Sequence, residues 1–404
     1  MNGSTKFPHT QAIVLILATI STYFCKELYI DVNGKVGIDY FNLIAVYVLL
    51  HLTFSFAVSL ISTTNVTCKQ RLIPNASENK ILYNMEFLRV VFTLEILFRH
   101  FVSVGNIWWN QGWINIVFFF ILSGFFLAKT FSPNRQMLDY LKKRLIQFIP
   151  LVTLGCILDS LFVHKINLLA FLSSMFLLSG TGIFPRSTCC TVAWYVSILF
   201  WVSILYFYML KTLKRETATL FLGFIAFFGT VAIVKLDPYG KFLGAPGDIG
   251  NIIDMQIVYG MALMAVGYFV WVIYTALNEK ISPTRFQKVV FSVIELSLLI
   301  YSILFINVKY LFPSNRAIAI IVFAALIMLF ALKIGYVSQF FEKKIWSKIA
   351  KYSLATYLTQ GFLVWHVFPR IIRGGYYVER TQTITGCRHD AFQLHCRYMC
   401  ALYC

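Results

Sequence analysis

Residues 84–104 form an apolar stretch that carries Glu86, Arg89, Glu95, Arg99 and His100. Ionisable side chains in such a stretch are costly to bury, which marks them as candidates for chemistry. Arg89 and His100 are 11 residues apart, close to three helical turns, so they share one face at a separation of about 16 Å along the axis. An imidazole exchanges protons near neutral pH and suits a general base. A guanidinium keeps its charge and forks onto phosphate or carbonyl oxygens. The pair therefore fits a site that grips an anionic or carbonyl group at one end and moves a proton at the other. Glu95 and Arg99 lie off that face at i, i+4, where an intrahelical ion pair accounts for both.

Two further clusters follow. Ser123 and Gly124 interrupt a run of bulky residues that includes Phe118, Phe119 and Phe120. A small Ser-Gly step lets helices approach closely, and it also lets a thin ligand pass against backbone. Tyr140-Leu141-Lys142-Lys143-Arg144 precedes Pro150. Such a basic cluster at the cytoplasmic end of a helix signals topology and can also hold a phosphate group.

The elements that position these residues are transmembrane helices. The chain is 59% hydrophobic and only 13% charged, with a mean hydropathy of +0.73. A soluble domain is about 45–50% apolar and about 25% charged. Apolar segments lie at 10–25, 42–62, 84–104, 113–131, 145–163, 167–180, 193–210, 218–234, 257–277, 289–308, 316–335 and 353–373. The expected fold is all-α and polytopic, with roughly ten or more spanning helices. No internal repeat is visible, which weighs against the duplicated architectures of many transporters. An apolar run at 11–24 follows a weakly basic start without a convincing cleavage site, so it is expected to remain as a first helix.

The net charge of +18 excludes little by itself. Because the basic residues fall between apolar runs and form no separate domain, they are expected to hold loops in the cytoplasm rather than to bind nucleic acid. Those loops are 63–83, 132–144, 211–215, 279–288 and 343–351. Strict alternation is satisfied if 167–180 dips into the membrane and returns without crossing. The Gly-, Pro- and Asp-rich loop 235–256 then faces outward, and the sequons at Asn65 and Asn75 face inward. Of nine cysteines, Cys387, Cys396, Cys400 and Cys404 cluster near His389 and His395 in a polar tail, but their spacing fits no standard zinc pattern. No metal is expected.

Glu86-Phe87-Leu88-Arg89, followed after ten residues by His100, resembles the opening helix of the acyltransferase-3 family of integral membrane O-acyltransferases. Phe119-Phe120-Ile121-Leu122-Ser123-Gly124 resembles that family's second-helix signature. Lys143-Arg144-Leu145-Ile146-Gln147-Phe148-Ile149-Pro150 resembles its basic motif, Trp194-Tyr195-Val196-Ser197 its Trp-x-x-Ser helix, and Ser353 to Gln360 its final helix. The motifs stand in family order over about residues 80–373. The resemblance implies a core of about ten helices at 80–373, with one or two extra helices in 1–79 and a tail of unassigned role at 374–404.

It further implies an acyl donor, acetyl-CoA or another acyl-CoA, taken from the cytoplasm, and an acceptor hydroxyl on an exported or lipid-linked glycan or glycolipid at the cell membrane. In that picture His100 deprotonates the acceptor hydroxyl or handles the acyl group, and Arg89 holds or polarises the donor. Lys143 and Arg144 meet the coenzyme phosphates, the acyl end threads past Ser123 and Gly124, and Trp194 and Ser197 meet the acceptor. The chain departs from the family pattern at three places. Gln147 stands where arginine is frequent, Leu199 where glutamate is frequent, and Gln360 where a histidine is common, with His366 beyond it. These departures bear on the acceptor and on activity. A transporter or flippase for a polysaccharide or lipid, or an inactive relative, would use the same intramembrane charges.

Overall fold

The computed structural model describes residues 81–104, 114–163, 168–182, 190, 192–236, 248–249, 253–278, 281–304 and 315–367. The hydrophobic segments expected in 1–79, the two sequons and the cysteine-rich tail lie outside the described residues. The described chain is helical: α1 (Tyr83–Val104), α2 (Asn115–Thr130), α3 (Met137–Val163), α4 (Leu168–Met175), α5 (Ala193–Thr212), α6 (Arg215–Leu236), α7 (Met255–Asn278), α8 (Arg285–Leu304), α9 (Asn315–Leu332), α10 (Tyr336–Phe340), α11 (Ile345–Ala350) and α12 (Ser353–Phe362). A π-helical turn, Leu363–Val367, ends the series. Two-residue strands, β1 (Asp248–Ile249) and β2 (Ile253–Asp254), pair antiparallel just before α7.

Among the described residues, five helices are long and apolar enough to cross a bilayer: Met137–Leu161, Ala193–Thr212, Arg215–Val234, Met255–Asn278 and Arg285–Ile303. Asn115–Thr130 and Ala317–Leu332 are shorter apolar helices.

The short α2 lies at the centre. Its Phe118, Phe120, Ile121 and Phe125 are fully buried. It can sit there because glycines open both sides of its crossing with α7. A methyl on Gly124 would collide with the Met264 carbonyl, and one on Gly267 would collide with the Ile121 carbonyl. Backbone thus meets backbone, a contact that no larger residue permits. Phe92 of α1, Phe118 of α2 and Phe323 of α9 lock a second seam, with ring centres 4.3 to 5.7 Å apart. By contrast, α6 and α8 turn Phe224, Phe227, Phe228, Val289 and Val293 outward, as lipid-facing helices do.

The start of α1 is fastened to the end of α9 and to the chain that follows it. Asn84 Nδ2 donates to the Phe330 carbonyl at 2.6 Å, and the Asn84 amide donates to Glu342 at 3.0 Å. Glu342 also pairs with Lys333 at 2.7 Å. Phe87 stacks on Phe341 with ring centres 3.6 Å apart. Glu295 of α8 is fully buried and accepts from the Gly335 and Ser338 amides and from the Ser338 hydroxyl. It thereby fixes the turn into α10.

Three boundaries differ from the sequence reading. The basic residues Lys142, Lys143 and Arg144 lie inside α3, which begins at Met137 rather than near 145. Lys, Arg, Leu and Gln are good helix formers, so the helix runs on past its apolar portion. The loop 343–351 contains the helix α11. The segment at 167–180 holds only the eight-residue α4, a rise of about 12 Å against a hydrocarbon core of about 30 Å. It then turns back through Leu177 and Gly180, both at positive φ. Trp201, two turns into α5, donates to the Leu177 carbonyl at 2.8 Å. At eight residues, α4 is too short by itself to span a bilayer.

Candidate functional site

A cavity of about 580 Å³ opens between α1, α2, α3, α5 and α12. Its walls are apolar where Ile96, Ile116, Phe119 and Leu122 face it. Its charge is one-sided: Arg89, Arg135, Lys143 and Arg144 line it, against the single carboxylate of Glu86.

Each cation is held differently. Arg89 donates to Glu86 at 2.7 Å, an i, i+3 pair on α1. Arg144 Nε donates to the Tyr140 hydroxyl at 3.0 Å, and its Nη1 donates to the Gln147 side-chain Oε1 at 3.3 Å. The Arg144 guanidinium also lies over the Tyr140 and Phe148 rings, at 5.2 and 5.8 Å from their centres. Lys143, by contrast, is exposed. The result is a cationic mouth at the end of the bundle where the basic loops lie. Such a mouth suits phosphate oxygens.

Deeper in, the wall turns neutral. Ser123 of α2 and Tyr195 of α5 hydrogen-bond through their side chains and both line the cavity. Tyr195 is buried, with ring contacts to Phe120 at 4.8 Å and to Tyr357 at 5.6 Å. On α1 the lining stripe runs Arg89, Thr93, Ile96. His100 is half-buried on the same stripe, one turn or about 6 Å beyond Ile96. The sequence pairing of Arg89 and His100 on one face therefore holds, with the cavity reaching up the helix toward the histidine. His100 itself is not among the lining residues.

Of the residues singled out in the sequence, Arg89, Ser123, Lys143 and Arg144 line this one cavity. Gly124 does not: it sits at the α2–α7 crossing described above. Trp194 and Ser197 are buried behind Tyr195. Trp194 packs against Gly180, and the Ser197 hydroxyl donates to the Ala193 carbonyl at 3.1 Å within its own helix. Two of the three family departures are wall residues, Gln147 and Leu199. The third, Gln360, is buried one turn past the cavity-lining Tyr357, and among the described residues its Nε2 has no hydrogen-bond partner. Glu95 accepts a short hydrogen bond from Asn115 of α2.

Sequence reasoning missed Tyr195, Tyr357, Thr93 and Arg135 as cavity residues. Tyr195 lay inside a quoted motif, but as one of several hydroxyl-bearing residues of its helix it gave no separate signal.

A family model described as an acyltransferase domain, of the acyltransferase-3 type, matches residues 82–384, about three quarters of the chain. No curated protein and no solved structure matches it.

Proposed function

This chain belongs to the acyltransferase-3 family of multi-pass membrane acyltransferases, and we propose that it moves an acyl group, acetyl foremost, from cytoplasmic acyl-CoA to a hydroxyl of an exported or lipid-linked saccharide. The observation that carries this reading is the cavity's lining: Arg135, Lys143 and Arg144 on one side, and uncharged Ile96, Ile116, Ser123 and Tyr195 on the other, along the α1 stripe that carries Arg89 and Ile96. A coenzyme A thioester has the same polarity, with phosphates at one end and an uncharged thioester at the other.

In this reading Lys143 and Arg144 hold phosphate oxygens and Arg89 grips the donor on the opposite wall. The donor's long arm then bridges the roughly 16 Å of α1 axis between Arg89 and His100. Ser123 and Tyr195 flank its passage, and Gly124 seats α2, which carries Ser123, against α7. The His100 imidazole takes the proton of the acceptor hydroxyl. The oxygen attacks the thioester carbonyl, the new C–O bond forms, and the C–S bond breaks. The leaving thiolate takes the proton back from the imidazolium. Trp194 and Ser197 shape the wall behind Tyr195 on the acceptor side.

The test is transfer of radiolabelled acetyl from acetyl-CoA into cell-envelope glycan or glycolipid, by membranes carrying wild-type protein or His100→Ala. Histidine-dependent label is expected. Absence of label with well-expressed wild type, across several acyl-CoAs and with native envelope present, would replace this reading with a transporter or an inactive relative. The placement of Leu199 on the cavity wall, where the family often carries glutamate, is the observation that favours the inactive relative.

A further inference from the structure

Arg135 precedes α3 in a short loop, and no motif draws attention to it. Its placement in the fold is nevertheless well defined. The Arg135 amide donates to the Ser132 carbonyl at 3.1 Å, closing a turn. Lys211, at the end of α5, donates to the Arg135 carbonyl at 2.6 Å. On either side of the loop, Phe131 meets Phe207 of α5 at 5.5 Å and Tyr140 stacks flat on the same ring at 4.2 Å. The backbone under Arg135 is therefore ordered before any ligand arrives, which lowers the entropic cost of using it.

The guanidinium points to the cavity mouth. Its carbon lies 5.6 Å from the Tyr140 ring centre, and that of Arg144 lies 5.2 Å from the same centre. Both residues line the cavity. Arg89 is already matched by Glu86, whereas among the described residues no carboxylate forms an ion pair with Arg135 or Arg144. With that match subtracted, three positive charges remain on the walls: Arg135, Lys143 and Arg144. A pyrophosphate diester carries about two negative charges, and a phosphomonoester adds about 1.5 to 2 more.

We propose that Arg135, with Arg144 beside it around the Tyr140 ring, binds a phosphomonoester of the donor distinct from its pyrophosphate. Arg135 is thus a specificity determinant for coenzyme A over its dephosphorylated form. This rests on the acyl-CoA reading given above and deepens it.

The experiment measures Kd for coenzyme A and for dephospho-coenzyme A on the full-length protein in neutral detergent, using wild type, Arg135→Lys and Arg135→Ala. A charge-assisted phosphate contact predicts that wild type binds coenzyme A about tenfold or more tightly than the dephospho form. Arg135→Ala should bring that ratio near one while leaving the dephospho Kd within about twofold. The retained dephospho binding also shows that the variant is folded. Arg135→Lys should fall between. Equal wild-type affinities, or an Arg135→Ala that weakens both ligands alike, overturns the inference and leaves the donor reading standing. The same holds if phosphatidic acid vesicles abolish the wild-type preference, because the mouth then serves a lipid phosphate. If neither nucleotide binds wild type, the donor reading itself has failed and the inference falls with it.

Discussion

Ser123 of α2 and Tyr195 of α5 share a hydrogen bond on the wall of the cationic cavity. The bond joins the second-helix signature to the Trp-x-x-Ser helix, two motifs separated by 72 positions in the chain. If the acyl arm passes between them, the two hydroxyls act as one unit. Ser123→Ala and Tyr195→Phe should each lower kcat/KM several-fold, and the double variant should lose little more than either single one. The coupling expected for a hydrogen bond of this kind is about 1 kcal/mol, read from a double-mutant cycle. Additive losses would place the ligand path elsewhere.

His100 stands on the lining stripe of α1 but one turn past Ile96. A general base there serves the chemical step rather than donor binding. His100→Ala should reduce acyl transfer by about 10²- to 10⁴-fold, with donor Kd and thermal stability unchanged. A weakened donor Kd with little change in turnover would make His100 a binding residue instead.

How much of this was legible in the sequence follows from the kind of signal each residue gives. Arg89 and His100 were readable because charge in an apolar helix is rare and helical periodicity fixes their shared face. At 167–180 loop charges favour a segment that does not cross, and the helix there has only eight residues. Gly124 was ambiguous, since a small residue serves close packing and ligand passage equally in one dimension. Only the position of the Met264 carbonyl separates the two. Arg135 and Tyr195 were not readable as cavity residues. One is an ordinary basic loop residue and the other an ordinary buried aromatic until α3 and α5 are brought together. The start of α3 at Met137 was obscured because its first turns are polar, and hydropathy marks where lipid begins rather than where a helix does.

The Gly124 ambiguity has a direct test. A methyl at position 124 must displace the α7 backbone, whereas Ser123→Ala removes one hydroxyl from a cavity wall. Overpacking of this kind costs about 1–3 kcal/mol. Gly124→Ala, and likewise Gly267→Ala, should lower the unfolding temperature in detergent by several degrees. Ser123→Ala should leave it nearly unchanged. A Gly124→Ala protein of wild-type stability but impaired turnover would instead assign Gly124 to the ligand path.

Gln147 offers a test by gain rather than loss. It lines the cavity one turn along α3 from Lys143, at a position where the family frequently carries arginine. At present its side-chain Oε1 accepts from Arg144 at 3.3 Å, a contact that leaves the mouth with its existing charge. Gln147→Arg adds a cation beside Arg144 and removes that acceptor. Without a ligand the two guanidinium groups repel across an open, solvated mouth, where the effective dielectric keeps the cost small. With a polyanionic donor in place, the added charge gains one more partner. Donor Kd should therefore fall several-fold at low ionic strength, and the advantage should shrink as salt rises toward a Debye length of about 8 Å. Turnover at saturating donor should hardly move, because the substitution lies far from His100 on the cavity's charged side. A Kd that rises, or falls equally at all salt concentrations, would mean that the basic face of α3 serves topology and does not meet the donor's phosphates.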